Sequence, residues 1–140
     1  MNGIEVERQG GMKEPGRASL IAAAKAAAAR AYAPYSRFKV GAALLTKSGK
    51  VFTGSNVENA SYGLSVCAER VAIFKAVADG EREFDTLVVY SSARTLTAPC
   101  GACRQVMTEF APKLRVILAN RSGRTRTYRL EQLLPVRFSL

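Results

Sequence analysis

Apolar and polar positions along this chain follow helical and extended periods in turn, and together they predict a succession of helices and strands. An alanine-rich run over residues 17–32 favours a helix by intrinsic propensity, and a proline soon afterwards stops it. Two apolar runs then flank a KSGK turn, which predicts a β-hairpin over residues 38–58. Gly41 and Gly54 lie in or beside its strands, where we expect another backbone segment or a ligand to approach closely.

The remainder of the chain alternates helical patterns with apolar strands. Nearly continuous apolar runs such as TLVVYSS are typical of strands that are buried on both faces. Helices alternating with such strands predict an α/β protein, a three-layer α/β/α fold with a mixed five-stranded sheet. The predicted elements are a helix over 65–80, a strand over 86–92, a helix over 100–110, strands over 115–120 and 126–130, and a short helix over 130–135.

The 140-residue length suits one domain, which we expect over residues 17–140. Residues 1–16 contain glycine breaks and a proline without apolar periodicity, so we expect a mobile tail. The tail lacks the apolar core of a signal peptide, and the longest apolar stretch is interrupted by Lys25 and Arg30. We therefore expect no membrane association and a cytoplasmic protein with reduced thiols.

The formal net charge of +10 raises the possibility of a nucleic-acid partner. The basic residues are spaced among apolar ones, as on the solvated faces of strands and turns, and no basic run interleaved with aromatic residues occurs. Nucleic acid is therefore not expected as the primary partner. The arginines that concentrate toward the C-terminus are Arg115, Arg121, Arg124, Arg126, Arg129 and Arg137.

Three cysteines and the absence of histidine define the candidate chemistry. Cys100 and Cys103 are three residues apart at the start of a predicted helix, so both sulfurs lie on one face. Cys67 lies near the start of the preceding helix. If both helix starts converge at the carboxyl edge of the sheet, the three thiols can meet.

Several interpretations of these thiols are open at this point. A single buried cysteine is usually a small hydrophobic residue, and a C-x-x-C pair alone is also typical of redox proteins. A closed structural zinc site needs a fourth protein ligand, and the chain offers neither a fourth cysteine nor a histidine. Three protein ligands leave one position open, which is the pattern of catalytic zinc.

Glu69 is the residue that favours catalysis. It follows Cys67 by two residues, so its carboxylate can point toward the site without being a ligand. Zinc deaminases carry the signature H-x-E followed by P-C-x-x-C, with a three-cysteine variant. This chain has C-A-E followed by P-C-G-A-C. The alternative is an ordinary exposed glutamate on a helix.

On these motifs the chain resembles the small, homotetrameric, zinc-dependent cytidine deaminases. Blasticidin-type deaminases share the zinc motif, but NVENA and YSRFKVGAAL are similar to the pyrimidine nucleoside branch. The resemblance covers nearly everything from Ala31 to Phe138. It is carried by the segments AYAPYSRFKVGAALL, GSNVENASYG, CAERVAIFKAV, PCGACRQV and LLPVRF.

The resemblance implies hydrolytic deamination of cytidine and 2′-deoxycytidine, with release of ammonia, in pyrimidine salvage. It implies one zinc ion per chain, held by Cys67, Cys100 and Cys103, with a water in the open position. Glu69 would take the proton of this water and deliver it to the substrate. It also implies that Arg70, one helical turn from Cys67, hydrogen-bonds sulfur and draws charge from the metal. The alternative is a surface arginine.

Substrate contacts are implied at further positions. Asn56 and Glu58 alternate at a strand end, so both face one side and suit ribose hydroxyls, although a turn also explains Asn56. The resemblance makes Phe38, otherwise a core residue by its spacing, a wall for the pyrimidine ring. The backbone near Ala68 and at Ala98 would read the base.

The resemblance further implies that a homotetramer completes its active sites across subunits. Phe138 follows the last predicted helix, where a tail can reach a neighbour, and Tyr62 lies in a loop beside the site. Both would then serve an adjacent subunit. The alternative is that Phe138 covers the core of its own chain and that Tyr62 is an exposed turn residue with no role at the site.

Overall fold

A mixed β-sheet forms the middle layer of the protein. The structure is a computed structural model, and it describes residues 4–5 and 15–140. A single 3₁₀ turn covers Tyr62–Leu64. The strands are β1 (Ile4–Glu5), β2 (Val40–Thr46), β3 (Lys50–Ser55), β4 (Phe84–Ser91), β5 (Arg115–Asn120) and β6 (Thr125–Arg129), and the helices are α1 (Arg17–Ala28), α2 (Ala68–Ala78), α3 (Gly101–Phe110) and α4 (Leu130–Leu133).

The strand order across the sheet is β1-β3-β2-β4-β5-β6. Strands β4 and β5 are parallel and α3 connects them, whereas every other pair is antiparallel. Strands β2 to β6 and the helices on both faces confirm the predicted α/β/α fold with a mixed five-stranded sheet. Strand β1 was not predicted, because it falls in the expected N-terminal tail. The other residues of that tail before residue 15 lie outside the described residues.

The apolar side chains of the central strands alternate between two cores. Leu44, Leu87 and Val116 point to the face that α2 and α3 cover. Their neighbours Leu45 and Val88 point to the opposite face, which α1 covers. A strand buried on both faces needs an apolar residue at every position, and this requirement explains the continuous apolar runs in the sequence.

Two glycines permit helices to lie directly against the sheet, as predicted. A Cβ atom added at Gly41 would fall 1.9 Å from the carbonyl oxygen of Ala24 on α1. A Cβ atom added at Gly54 would fall 2.5 Å from the carbonyl oxygen of Ala68, at the start of α2. Gly54 therefore fixes where α2 begins relative to the sheet, and α2 begins beside Cys67.

The first two helices are shorter than predicted. Helix α1 ends at Ala28 rather than near residue 32, because the backbone of Tyr32 pairs with that of Val57. Helix α2 begins at Ala68 rather than at residue 65, because Val66 pairs with Val57 on its other side. Both corrections have the same cause: Val57, just after β3, forms β-bridges with Tyr32 and with Val66, so these two residues are extended and not helical.

Replacing Gly41 by alanine should destabilise the protein. The new methyl group would meet backbone atoms of α1, which cannot move aside without shifting the helix. We expect the free energy of unfolding to fall by about 3 kcal/mol, measured by urea denaturation. Gly63→Ala is the matched control, because a Cβ atom there meets nothing within 4 Å. Equal stability of the two variants would contradict the close packing of α1.

Candidate active site

The three cysteine sulfurs meet at one point, where the N-terminal ends of two helices converge. Cys67 is the N-cap of α2, Cys100 is the N-cap of α3, and Cys103 lies one turn into α3. The Cys67 and Cys100 sulfurs are 3.7 Å apart, and the Cys100 and Cys103 sulfurs are 3.4 Å apart. All three lie within 4.8 Å of one another. The prediction that these thiols come together is therefore correct.

The sulfur spacing fits a tetrahedral zinc ion. Zinc–sulfur bonds of about 2.3 Å at tetrahedral angles separate two sulfurs by about 3.8 Å. Among the residues that the structure describes, no histidine or carboxylate joins the cluster. The donor set is therefore three thiolates, which leaves one position of the tetrahedron for a non-protein ligand.

Hydrogen bonds favour the ionised form of the Cys67 thiol. The thiol of Cys103 and the guanidinium of Arg70 together lower the pKa of Cys67 to about 5, although burial opposes this effect. Nη2 of Arg70 lies 3.7 Å from the Cys67 sulfur. Arg70 thus lies where the sequence placed it, one turn from Cys67. The N-terminal end of a helix adds a further partial positive charge at Cys67 and Cys100.

Glu69 is buried beside the sulfur cluster, with 4% of its surface exposed. Burial raises the pKa of its carboxyl to about 7, and the nearby Cys67 adds to the effect. A carboxyl group in this setting can hold and release a proton near neutral pH. The structure thus excludes the alternative of an exposed helix glutamate.

A cavity of about 190 Å³ opens onto the sulfur cluster. It is lined by predicted site residues and by four that sequence reasoning missed: Ser36, Val40, Val89 and Thr97. Ser36 and Val40 lie in the same segment as Phe38, Val89 lies on β4 and Thr97 directly precedes Ala98, but no local pattern distinguished these four residues as cavity residues. The predicted residues that line the cavity are Phe38, Asn56, Glu58, Cys67, Ala68, Glu69, Ala98 and Cys100.

Asn56 and Glu58 both hold the loop that precedes β2. The Asn56 side chain accepts a hydrogen bond from the Val40 N–H at 2.9 Å and donates one to the Phe38 carbonyl at 2.7 Å. The Glu58 carboxylate accepts hydrogen bonds from the Ser36 hydroxyl and from backbone N–H groups of the same loop. These bonds, that of the Ser36 hydroxyl above all, lower the pKa of Glu58. Both side chains therefore already have partners within the chain.

Tyr62 and Phe138 do not line the cavity of their own chain. Tyr62 is 75% exposed, and its ring contacts Tyr35 edge-on at a centroid distance of 6.0 Å. Phe138 is 70% exposed, and its carbonyl accepts a hydrogen bond from Gln105 Nε2 at 3.1 Å. The interpretation in which Phe138 covers its own core does not fit this exposure.

Comparison with known proteins identifies the family. A family model described as the cytidine and deoxycytidylate deaminase zinc-binding region matches residues 16–119. The cytidine deaminase of Halalkalibacterium halodurans is 48% identical over 124 residues, which cover 88% of this chain and 94% of that protein. The crystal structure of cytidine deaminase from Burkholderia pseudomallei superposes with a TM-score of 0.86 at 55% identity. That match covers 89% of this chain and 100% of the other.

A second kind of deaminase is also similar to this chain. Blasticidin-S deaminase of Bacillus cereus is 32% identical over 108 residues, covering 71% of this chain and 76% of that protein. The chain belongs to the zinc-binding cytidine and deoxycytidylate deaminase family.

Removing one sulfur should remove the metal. Cys100→Ser leaves two thiolates, so we expect the zinc content to fall from one ion per chain to well below half an ion after dialysis, as measured by elemental analysis. Glu69→Gln is the control, because it alters the site but keeps all three sulfurs. Full zinc retention in Cys100→Ser, or a zinc-free wild-type protein, would contradict the three-sulfur site.

Proposed function

We propose that this protein hydrolyses cytidine and 2′-deoxycytidine to uridine and 2′-deoxyuridine, consuming water and releasing ammonia. The observation that carries the proposal is one cavity lined by both the thiol cluster and a buried carboxyl, Glu69. The match to the cytidine deaminase of Halalkalibacterium halodurans covers nearly the whole length of that protein. We assign the reaction to pyrimidine salvage.

Cys67, Cys100 and Cys103 would hold the zinc ion, which when bound activates a water molecule as the nucleophile. Glu69 accepts one proton of this water and delivers it to ring N3, and it then carries the second proton, from the hydroxyl group added at C4, to the departing amino group. Its burial excludes competing solvent from the proton path. Each proton thus moves through a single carboxyl group.

Arg70 acts through the sulfur of Cys67. Three thiolates and one Zn²⁺ ion sum to a net negative charge, which weakens the metal as a Lewis acid. A guanidinium hydrogen-bonded to one thiolate withdraws part of that charge. The Arg70–Cys67 contact supports this positioning role.

The cavity suggests how a nucleoside is oriented. Phe38 provides an apolar wall for the pyrimidine ring, and backbone groups at Ala68 and Ala98 lie within reach of the base. Asn56 and Glu58 face the same space and provide polar atoms for ribose hydroxyls. Because both also hold the loop that contains Phe38, they shape the pocket as well as line it.

We extend the proposal to a homotetramer in which neighbouring subunits complete each site. Exposed apolar side chains cost free energy unless a partner covers them, and several of them lie between residues 32 and 64 or on the C-terminal tail. Phe138 would stack on the pyrimidine of an adjacent subunit, and Tyr62 would line that neighbour's site. The exposed apolar residues in these regions are Tyr32, Tyr35, Val57, Tyr62, Leu64, Val136 and Phe138.

The proposal also includes the domain layout and the location. Residues 17–140 would form a single catalytic domain. Within the described part of the chain, no helix has the length and apolar character needed to cross a bilayer. We propose a cytoplasmic enzyme, in keeping with three free thiols.

Glu69→Gln should abolish most turnover while the fold and the zinc content are preserved. Loss of one general acid–base group lowers the rate by roughly 10²- to 10⁴-fold. The loss of absorbance on mixing with cytidine measures the rate. Glu109→Gln, on the exposed face of α3, is the matched control. Near wild-type turnover by Glu69→Gln would show that the assignment is wrong.

Arg70→Gln should retain zinc but lower kcat, because the thiolates then keep more negative charge on the metal. Adding Cys67→His in the same chain replaces an anionic ligand with a neutral one and should recover part of the rate. If Arg70 has only a structural role, Arg70→Gln should lower the free energy of unfolding, and Cys67→His should not restore the rate. Unfolding should therefore be measured in parallel. Absence of any rescue would refute the electrostatic role.

A mixing experiment tests the shared site. Glu69→Gln chains and Phe138→Ala chains are refolded together, and cytidine turnover is compared with the sum of the two parents. If Phe138 acts in trans, some mixed sites combine an intact Glu69 with a neighbour's Phe138, and activity exceeds that sum. Additive activity in a demonstrably mixed oligomer, or a monomer by light scattering, would contradict the proposal.

A further inference from the structure

A cluster of cationic side chains surrounds the edge strand β6, away from the cysteine site. From residue 110 to residue 130 the chain contains six lysines and arginines and no acidic residue. All six side chains are exposed. We call this set the β6 cationic surface, and it comprises Lys113, Arg115, Arg121, Arg124, Arg126 and Arg129.

The sheet register places like charges directly opposite each other. Arg115 of β5 pairs with Arg129 of β6, so both side chains project from the same face of the sheet. Directly opposed like charges destabilise a pair of strands. Alternation places Arg126 on the other face, opposite Leu118. The cationic surface therefore includes both sides of the edge strand.

Among the described residues, no carboxylate forms an ion pair with any of the six cations, although Glu83 and Asp85 lie near three of them. An ion pair between Lys50 and Asp79 lies elsewhere in the protein and involves none of the six cations. Arg126 lies over the ring of Tyr128, at 5.1 Å from its centroid, which leaves its charge uncompensated. The self-repulsion costs stability, and an external anion would relieve it.

Part of the surface borders a cavity of about 640 Å³ beneath the start of β4 and β5. Lys113, Arg115 and Arg129 line it, and so do two carboxylates, Glu83 and Asp85. Phe84, at the start of β4, lines this cavity, whereas Val89, five residues along the same strand, lines the cysteine site. The two regions are thus separated by about 17 Å along β4.

We propose that the β6 cationic surface binds the phosphate backbone of nucleic acid. Five of the six cations are arginines, whose planar guanidinium groups suit bidentate contacts with phosphate oxygens. The five residues of β6 extend over roughly 17 Å, which exceeds the size of a single phosphate group. A chain of phosphates following the sheet edge would contact arginines on both faces of β6. This proposal is independent of the deamination reaction.

Fluorescence anisotropy with a labelled 20-nucleotide oligothymidylate tests the proposal. This probe contains no cytosine and therefore offers no substrate to the cysteine site. We expect binding that weakens with salt and that excess cytidine does not displace. Arg115→Gln/Arg129→Gln should raise Kd at least tenfold and reduce the slope of log K against log salt by about 1.4, because two phosphate contacts are lost.

The matched control is Lys25→Gln/Arg30→Gln, which removes the same net charge from exposed positions on and just after α1. Equal weakening in both double variants would show attraction by net charge alone and would overturn the proposal. It would also be overturned if thymidine monophosphate competed as well as the oligomer at equal phosphate concentration, or if only anionic lipid vesicles bound. Unchanged cytidine turnover and undiminished unfolding stability in Arg115→Gln/Arg129→Gln would confirm that the fold is intact.

Discussion

The structure depends on one constraint: sulfurs from two different helices must lie within a few ångströms of one another. Cys67 and Cys100 are more than thirty residues apart in sequence, yet both are helix N-caps at the same end of the sheet. The parallel pair of β4 and β5 requires α3 to cross over the sheet and so fixes the start of α3. The close approach at Gly54 fixes the start of α2. Small displacements of either helix would separate the sulfurs.

The electrostatics of the site follow from that placement. The N-terminal end of α2 and the Arg70 guanidinium lie beside the Cys67 sulfur, where their positive charge favours the thiolate. Burial acts in the opposite direction on Glu69, whose pKa is raised to about 7. The same small region therefore stabilises anionic sulfur and a protonatable carboxyl. A zinc site that activates water needs both.

The sequence was sufficient to predict the parts of this account that depend on local pattern. Apolar runs predicted the five main strands, and the two motifs predicted the sulfur cluster with Glu69 beside it. Hydrogen bonds between segments that are distant in the sequence leave no local pattern from which they could be predicted. Asn56 and Glu58 form hydrogen bonds with a loop some twenty residues earlier in the chain. In this loop the backbone of Arg37 adopts the left-handed region, with a φ of 58°. Thr97 lies in the loop before α3, and no local pattern indicated that it lines the cavity.

X-ray absorption at the zinc edge of the purified protein is the sharpest test of the three-thiolate zinc centre, because it counts the ligand types around the metal without relying on turnover. A zinc ion held by Cys67, Cys100 and Cys103 should show three sulfur ligands at about 2.3 Å and one oxygen or nitrogen ligand. Four sulfur ligands, which a single chain with three cysteines could acquire only from another chain, would indicate a closed structural site. A shell of oxygen and nitrogen alone would show that the cysteines do not hold the metal. Either result would contradict an open, three-thiolate zinc centre.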